Sequence, residues 1–230
     1  MVNIGVVIPS YNDKILLEAC LDSLYRVNAR TTYSVLVVDD YSSDGTGRWA
    51  SGLSLPDYAV IRSNARVHFT RAVNAGAKWF LENTDAKTIL LLNSDCVVTR
   101  GWGRALLDTS RDMRAAIIGA TLLNPDGTIQ HAGGYGVGQH YYINRQPTNG
   151  SDDRSVAWVT GAAMLVHRTV FEYAGYLPAG ELGQQYDRSD MNYCYIVRLS
   201  GGEIAVSGKS IIYHHTHAAM RMRETNGQVE

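Results

Sequence analysis

The sequence predicts an α/β fold: a mostly parallel sheet flanked by helices on both faces, with a small hairpin or antiparallel part in the C-terminal half. Three observations carry that prediction. Short, wholly apolar runs recur through the first half of the chain; stretches with helical spacing separate them; and each run ends in polar or acidic residues. Uninterrupted apolar runs suit strands buried on both faces. Strand–helix–strand order at this spacing implies parallel pairing through right-handed crossovers.

The elements follow in order. Residues 4–8 form the first apolar run, and from Ile15 onward Leu17, Cys20, Leu21 and Leu24 fall on one helical face, with Asn12 or Asp13 placed to cap it. Residues 35–38 are the second strand, and Ser43-Asp44-Gly45-Thr46 turns into a short helix. Residues 58–61 are the third strand; residues 69–81 are a helix with Phe69, Val73, Ala77 and Phe80 on one side; residues 88–92 are the fourth and most apolar strand. Further on, Asn124-Pro125-Asp126-Gly127 lies between Leu122-Leu123 and Thr128-Ile129 and reads as a hairpin. Residues 131–153 are rich in Gly, Tyr, Asn and Gln, long for a passive connection, and so a candidate functional loop. Residues 158–167 read as a strand, 169–173 as a helical turn, 190–199 as a helix, and 204–206 and 210–213 as closing strands. The tail over 214–230 is polar and basic, and the whole reads as one domain.

Composition removes several function classes. The chain has 230 residues, 45% hydrophobic and 19% charged, with 21 basic side chains against 22 acidic ones. A net charge of -1 argues against a nucleic-acid binder held by bulk electrostatics. The three cysteines, Cys20, Cys96 and Cys194, are far apart without a CxxC pair, which fits reduced thiols and neither a disulfide framework nor a zinc ribbon. No apolar run approaches the roughly 20 residues of a transmembrane helix, and Met1-Val2-Asn3 lacks a secretory lead, so a cytoplasmic location is expected.

In an open parallel sheet, ligands bind beyond the carboxyl ends of the strands. Those ends carry Pro9-Ser10-Tyr11-Asn12, Asp39-Asp40, Asn64 with Arg66, and Asn93-Ser94-Asp95. Four polar ends on one edge point to a polar ligand. No GxGxxG or GxxxxGK[ST] loop follows the first strand, which disfavours dinucleotide and P-loop chemistry. A diphosphate held without such a loop needs positive charge from elsewhere. A hard cation on carboxylate oxygen supplies it, and Asp95 stands where such an ion belongs.

Three stretches together resemble the family-2 inverting glycosyltransferases of GT-A (Rossmann-like) fold. They are Val6-Val7-Ile8-Pro9-Ser10-Tyr11-Asn12, Val37-Val38-Asp39-Asp40-Tyr41-Ser42-Ser43-Asp44-Gly45-Thr46, and Leu91-Leu92-Asn93-Ser94-Asp95. Asn64 with residues 69–76 is similar to the stretch before the family's acceptor-side helix, Trp158-Val159-Thr160-Gly161-Ala162-Ala163 to its segment under the donor sugar, and Ser189-Asp190 to its Glu-Asp helix. The resemblance implies a nucleotide-binding half over 1–95 and an acceptor-side half over 96–213. It also implies a nucleotide-sugar donor (UDP- or dTDP-linked), a glycan or other hydroxyl acceptor, and Mn²⁺ or Mg²⁺ as cofactor. On that pattern Pro9 and Tyr11 border the base, Asp40 accepts from the pyrimidine, and Arg66 contacts the nucleotide or a phosphate. Asn93-Ser94-Asp95 stands for the Asp-x-Asp motif with Asp95 on the metal, Gly161 lies under the sugar, and Asp190 is the base. His215, within Tyr213-His214-His215-Thr216-His217, is a third metal ligand or a phosphate contact.

The departures are Asn93 for aspartate and Ser189 for glutamate, with Asp187 or Glu181 as replacements for the latter. Tyr135, Tyr141 and Tyr142 form a sugar platform or pack in the ordinary way, and Arg221 and Arg223 fold over a diphosphate or stay solvated. The chain is short for the family, so a partner domain or second chain is expected to complete the acceptor side. The competing readings are a pyrophosphorylase, which needs a basic glycine-rich loop after the first strand, and a silent module that binds sugar nucleotide or glycan.

Overall fold

In the computed structural model, residues 4–27, 32–136, 142–143, 152–180 and 188–216 are described. The elements of the first half are β1 (Ile4–Ser10), α1 (Lys14–Arg26), β2 (Tyr33–Asp39), α2 (Thr46–Ser51), β3 (Tyr58–Arg62), α3 (His68–Asn83) and β4 (Thr88–Leu92). Those that follow are β5 (Cys96–Val98), α4 (Trp102–Met113), β6 (Ile117–Leu123), β7 (Ile129–His131), β8 (Gly134–Tyr135), β9 (Tyr142–Ile143), β10 (Arg154–Ser155), β11 (Ala163–His167), α5 (Arg168–Tyr173), α6 (Ser189–Leu199) and β12 (Ile204–His214).

The main sheet runs β3-β2-β1-β4-β11-β6-β12-β10, with β5 paired to β12 and β7 to β6. The pairs among β3, β2, β1 and β4 are parallel, as is β6 with β12, whereas β11 is antiparallel to both β4 and β6. Alternation along each strand sorts its side chains between two apolar layers. Val6 and Ile8 of β1 and Leu90 and Leu92 of β4 join Leu17, Leu21 and Leu24 of α1 and Leu106 of α4 on one face. Val7, Ile89 and Leu91 join Val73 and Phe80 of α3 and Val197 of α6 on the other. Strands buried on both faces, with helices covering each, explain the continuous apolar runs.

Register decides what meets at the carboxyl edge. Ser10 lies opposite Asp39, Asp39 opposite Arg62, and Ala163 opposite Leu92. Because β11 runs antiparallel, its start brings the 160–162 turn against the end of β4. The register of β12 shifts between Ser207 and Ile211, after which its last residue, His214, pairs with Cys96 of β5.

Several expectations are corrected. The two closing strands are one, β12, broken only by that irregularity, and His214 belongs to it rather than to the tail. The strand expected over 158–167 begins at Ala163, since Trp158 makes an isolated bridge with Gly134. Helix α4 is not foreseen from the sequence: Trp102 and Leu106 are buried with Thr109 and Ser110, so its inner stripe is partly polar. Neither Asn12 nor Asp13 caps α1 by a side-chain hydrogen bond. The hairpin is present, with Gly127 at φ 84° and its N–H donating to the Asn124 carbonyl at 2.9 Å. Asp187, Glu181, Tyr141, the side chain of Tyr142, His217, Arg221 and Arg223 lie outside the described residues.

Candidate active site

The carboxyl edge is knitted together by the residues that end the strands. Asp13, buried at the start of α1, accepts hydrogen bonds from the hydroxyls of Ser10 and Ser94, so one carboxylate ties the tip of β1 to the turn after β4. Asn12, at φ 50°, accepts from the N–H groups of Ser43 (2.8 Å) and Asp44 (3.3 Å) and anchors the β2–α2 turn. Asp39, fully buried, accepts from the Ser42 N–H and pairs with Arg62 at 3.2 Å. A Cβ at Gly47 would lie 1.9 Å from Asp39 Oδ2, so glycine at the start of α2 is what admits that carboxylate.

Asp40 accepts from the main-chain N–H groups of Val67 (2.7 Å) and His68 (2.9 Å), and its Oδ2 is 3.3 Å from Arg66 Nε. Burial raises its pKa, opposed by those N–H groups and by the Arg66 charge. The Arg66 guanidinium carbon also lies 3.3 Å from the centroid of the Tyr11 ring, a cation–π contact. Tyr11, Asp40 and Arg66 are therefore one cluster at the ends of β1, β2 and β3, with Pro9 half-buried in β1 beside it. Asn12, Tyr41, His68 and Arg188 all have positive φ, a concentration of unusual backbone near the candidate residues.

At the end of β4, the Asn93 N–H donates to the Ala162 carbonyl at 2.9 Å. Asp95 is 9% exposed, and its Oδ1 lies 3.2 Å from His214 Nε2 without a hydrogen bond to any described atom. Asn93 Oδ1 is likewise buried without a hydrogen bond. Asp95, Cys96 and His214 present ligand atoms within 4.8 Å of one another. Burial, then the Asp95 charge, pushes the Cys96 thiol well above its ordinary pKa, its Sγ donates to the Ala162 carbonyl at 3.4 Å, and a soft sulfur ligand suits Mn²⁺ or Mg²⁺ poorly. What remains is a carboxylate oxygen and an imidazole nitrogen, donors that fit Mn²⁺ or Mg²⁺. His215 contributes differently from the expectation: its N–H donates to the Asp95 carbonyl at 2.9 Å, and the imidazole facing Asp95 is that of His214.

Helix α6 brings in Asp190. Its Oδ2 accepts the Gly161 N–H at 2.9 Å and its Oδ1 accepts the Met191 N–H at 2.7 Å. The neighbouring Ser189 hydroxyl accepts from Thr70 of α3 at 2.7 Å. A Cβ on Gly161 would meet the Phe69 ring at 3.0 Å, so α3, the 160–162 turn and α6 pack closely here. Asp190 bonds to Gly161, Ala162 bonds to Asn93, and Asn93 adjoins the Asp95–His214 pair, so a run of contacts joins Asp190 to Asp95 at the carboxyl edge. A cleft of about 690 Å³ lined by Lys87, Arg111, Arg114 and His167 lies at the opposite edge, away from them.

Asp13 and His214 are the residues that the sequence reading misplaced. An aspartate at a helix start reads as a cap, and its bond to Ser94 spans 81 positions. The parity of β12 beyond its register shift decides between adjacent histidines.

The profile of glycosyl transferase family 2 matches residues 5–174, which include β1 through β4 and the 160–162 turn. The chain belongs to that family. Over 94% of its length it is 25% identical to N-acetylglucosaminyl-diphospho-decaprenol L-rhamnosyltransferase of Mycobacterium tuberculosis, covering 77% of that protein. It is 23% identical to the O-antigen biosynthesis protein RfbC of Myxococcus xanthus over 95% of its length, and 25% identical to the uncharacterized protein y4gI of Sinorhizobium fredii over 96%. The chain spans only 18% of RfbC and 25% of the Sinorhizobium protein. Its GT-A fold is shared with GalNAc-T7, solved with UDP, GalNAc and Mn²⁺, at a TM-score of 0.71 and 15% identity, covering 94% of this chain and 44% of that one. It is shared too with S. aureus TarS 1–349 in complex with UDP-GlcNAc, at 0.66 and 16%, covering 93% and 58%. Among the described residues, no helix of this family-2 chain is long and apolar enough to cross a membrane.

Proposed function

We propose that this chain transfers a sugar from a UDP- or dTDP-linked donor to a hydroxyl acceptor with inversion, assisted by Mn²⁺ or Mg²⁺. The observation that carries the reading is the buried Asp95–His214 pair, its carboxylate oxygen without a hydrogen bond, joined through Asn93 and the 160–162 turn to Asp190. Two electron-rich atoms at 3.2 Å in a buried site call for a cation between them. Membership of family 2, and neighbours solved with UDP, UDP-GlcNAc and Mn²⁺, support the same assignment.

Asp95 and His214 would hold the ion, with Asn93 Nδ2 3.4 Å from His214 Nε2. A bound divalent cation acts as a Lewis acid on the departing diphosphate. Tyr11, Pro9 and Arg66 flank the nucleotide, with Asp40 holding Arg66 and the 67–68 main chain in place and keeping a lone pair for the base. Gly161 lies under the donor sugar in this reading and presents its N–H to Asp190. That hydrogen bond and the one from the Met191 N–H hold the Asp190 carboxylate in place. Asp190 then removes the proton of the acceptor hydroxyl as attack proceeds, help worth roughly 10²–10⁴-fold. A single displacement of this kind inverts the anomeric carbon without a covalent intermediate.

Incubation with Mn²⁺ and a panel of UDP-, dTDP- and GDP-sugars tests the proposal. Slow release of free sugar from a UDP- or dTDP-linked donor, abolished by chelation, is the expected result. Donor binding with no turnover under any metal would make the chain a silent sugar-nucleotide module instead.

A further inference from the structure

We propose that Gln130 is a positioning residue that fixes the tautomer of His214, so that Nε2 faces Asp95 as a lone pair ready for a cation. The cation clause rests on the Asp95–His214 metal reading above; the tautomer stands on hydrogen-bond polarity alone.

Gln130 lies in β7, where Ile129 pairs with Leu123 and His131 with Leu122, leaving Gln130 as the unmatched residue at a register shift. Such an irregularity re-aims a side chain out of the ladder. This one sends Gln130 to His214, 84 positions away, with Oε1 2.6 Å from Nδ1. Which of the two atoms carries the proton follows from a chain of bonds that begins in the hairpin turn. The Asp126 carboxylate, which the Thr128 hydroxyl and N–H hold below the usual range, can only accept. The Thr128 hydroxyl therefore donates to Asp126 at 2.6 Å and accepts from Asn124 Nδ2 at 2.9 Å. That orients Asn124 so that its Oδ1 accepts from Gln130 Nε2 at 3.0 Å. The same nitrogen lies 3.0 Å from the His214 carbonyl and within reach of the Thr216 hydroxyl. With its nitrogen among acceptors, the Gln130 amide must turn its oxygen to His214 Nδ1. The Nδ1 atom then carries the hydrogen, which makes Nε2 the nitrogen that can offer a lone pair. An imidazole that donates through one nitrogen to a fixed acceptor presents the other as a metal ligand, and loss of such a partner typically weakens affinity about 10–100-fold. The Asn124–Thr128 turn, which the transfer reaction itself does not use, thus acts at the cation site.

Histidine-selective ¹⁵N NMR on the metal-free chain, with His214→Ala to assign the signal, reads the tautomer directly. The expected wild-type state is Nδ1–H. Gln130→Met, which has no acceptor, is expected to lose that preference and to weaken Mn²⁺ binding, followed by the EPR signal of free Mn²⁺, about 10–100-fold. Gln130→Glu keeps an acceptor at Nδ1 while losing the bonds that the amide nitrogen makes to Asn124 and the His214 carbonyl, and is expected to restore the Nδ1–H preference, which a purely structural role for Gln130 does not predict. A wild-type ring protonated at Nε2 overturns the inference without any variant, as does a Gln130→Met chain with unchanged tautomer and Mn²⁺ affinity. A wild-type chain that shows Nδ1–H but takes up no Mn²⁺ refutes the metal reading while upholding the tautomer assignment.

Discussion

Replacing Asp190 by asparagine separates chemistry from binding, and its consequences are worked from two hydrogen bonds. Both carboxylate oxygens accept main-chain N–H groups, from Gly161 at 2.9 Å and Met191 at 2.7 Å. Asparagine offers one oxygen and one NH₂, so Asp190→Asn must point donor at donor on one side. The oxygen is expected to stay with Gly161, leaving the N–H of Met191, a residue that is also buried, facing the new NH₂. A buried donor left unpaired costs about 1–3 kcal/mol, and each 1 kcal/mol lowers Tm by roughly 2–4 °C for a chain of this size. The kinetic effect is far larger. Loss of a general base lowers turnover about 10²–10⁴-fold, a rise of about 3–5 kcal/mol in the barrier. Donor affinity, measured by calorimetry with UDP and Mn²⁺, is expected to stay within about twofold, because no donor contact is assigned to Asp190. The assay is release of sugar from the preferred donor, with and without acceptor. Turnover unchanged from wild type in a folded variant would refute the assignment of Asp190 as base; a parallel loss of UDP affinity would refute the separation of roles.

Asp95→Asn removes the carboxylate of the proposed cation pair and is expected to weaken Mn²⁺ binding at least tenfold by EPR while the far-UV CD spectrum stays unchanged; equal affinity would place the ion elsewhere. Gly76→Ala puts a Cβ 2.3 Å from Val7 Cγ1, so α3 can no longer seat on β1. Overpacking of about 1–3 kcal/mol exceeds the helix-propensity gain of up to about 1 kcal/mol, so denaturant midpoints should fall, and Val7→Ala in the same chain should recover part of the loss. Burial gives Asp40 a raised native pKa, so the folded chain holds that proton more tightly than the unfolded one. Its contribution to stability therefore declines as pH rises from the ordinary carboxylate pKa through the raised native value, and is level above it. Arg66→Ala removes an opposing charge and is expected to raise the Asp40 pKa further, as followed by carbon NMR of the carboxyl; a fall would contradict the pairing.

Much of this architecture was legible because burial on both faces leaves a plain signature. Strand β4, five residues with no polar side chain but Thr88, coincides with its predicted bounds, and β1 differs only by its polar end. The helices packed on those strands show the same clarity, since Leu17, Leu21 and Leu24 must face inward. Helix α4 gave no such signal, because Thr109 bonds to Ser207 and Asp153 and so sits buried on polar contacts that the sequence cannot show. The mouth was half legible. Strand ends located Tyr11, Asp40, Arg66 and Asp95, because chain direction alone puts them on one edge. What linked them was not: Asp13 acts across 81 positions and Gln130 across 84. Adjacent residues of a strand face opposite ways, and an irregularity between Ser207 and Ile211 reverses the count, so His214 faces Asp95 where His215 was expected.

The most direct test is crystallographic: the chain grown with Mn²⁺ and UDP, with diffraction measured at the manganese absorption edge. The account predicts one anomalous peak bonded to Asp95 Oδ1 and His214 Nε2, with the diphosphate oxygens on its open side. A peak held by His215 or at the opposite edge of the sheet, or a diphosphate bound with no metal beside Asp95, would contradict it.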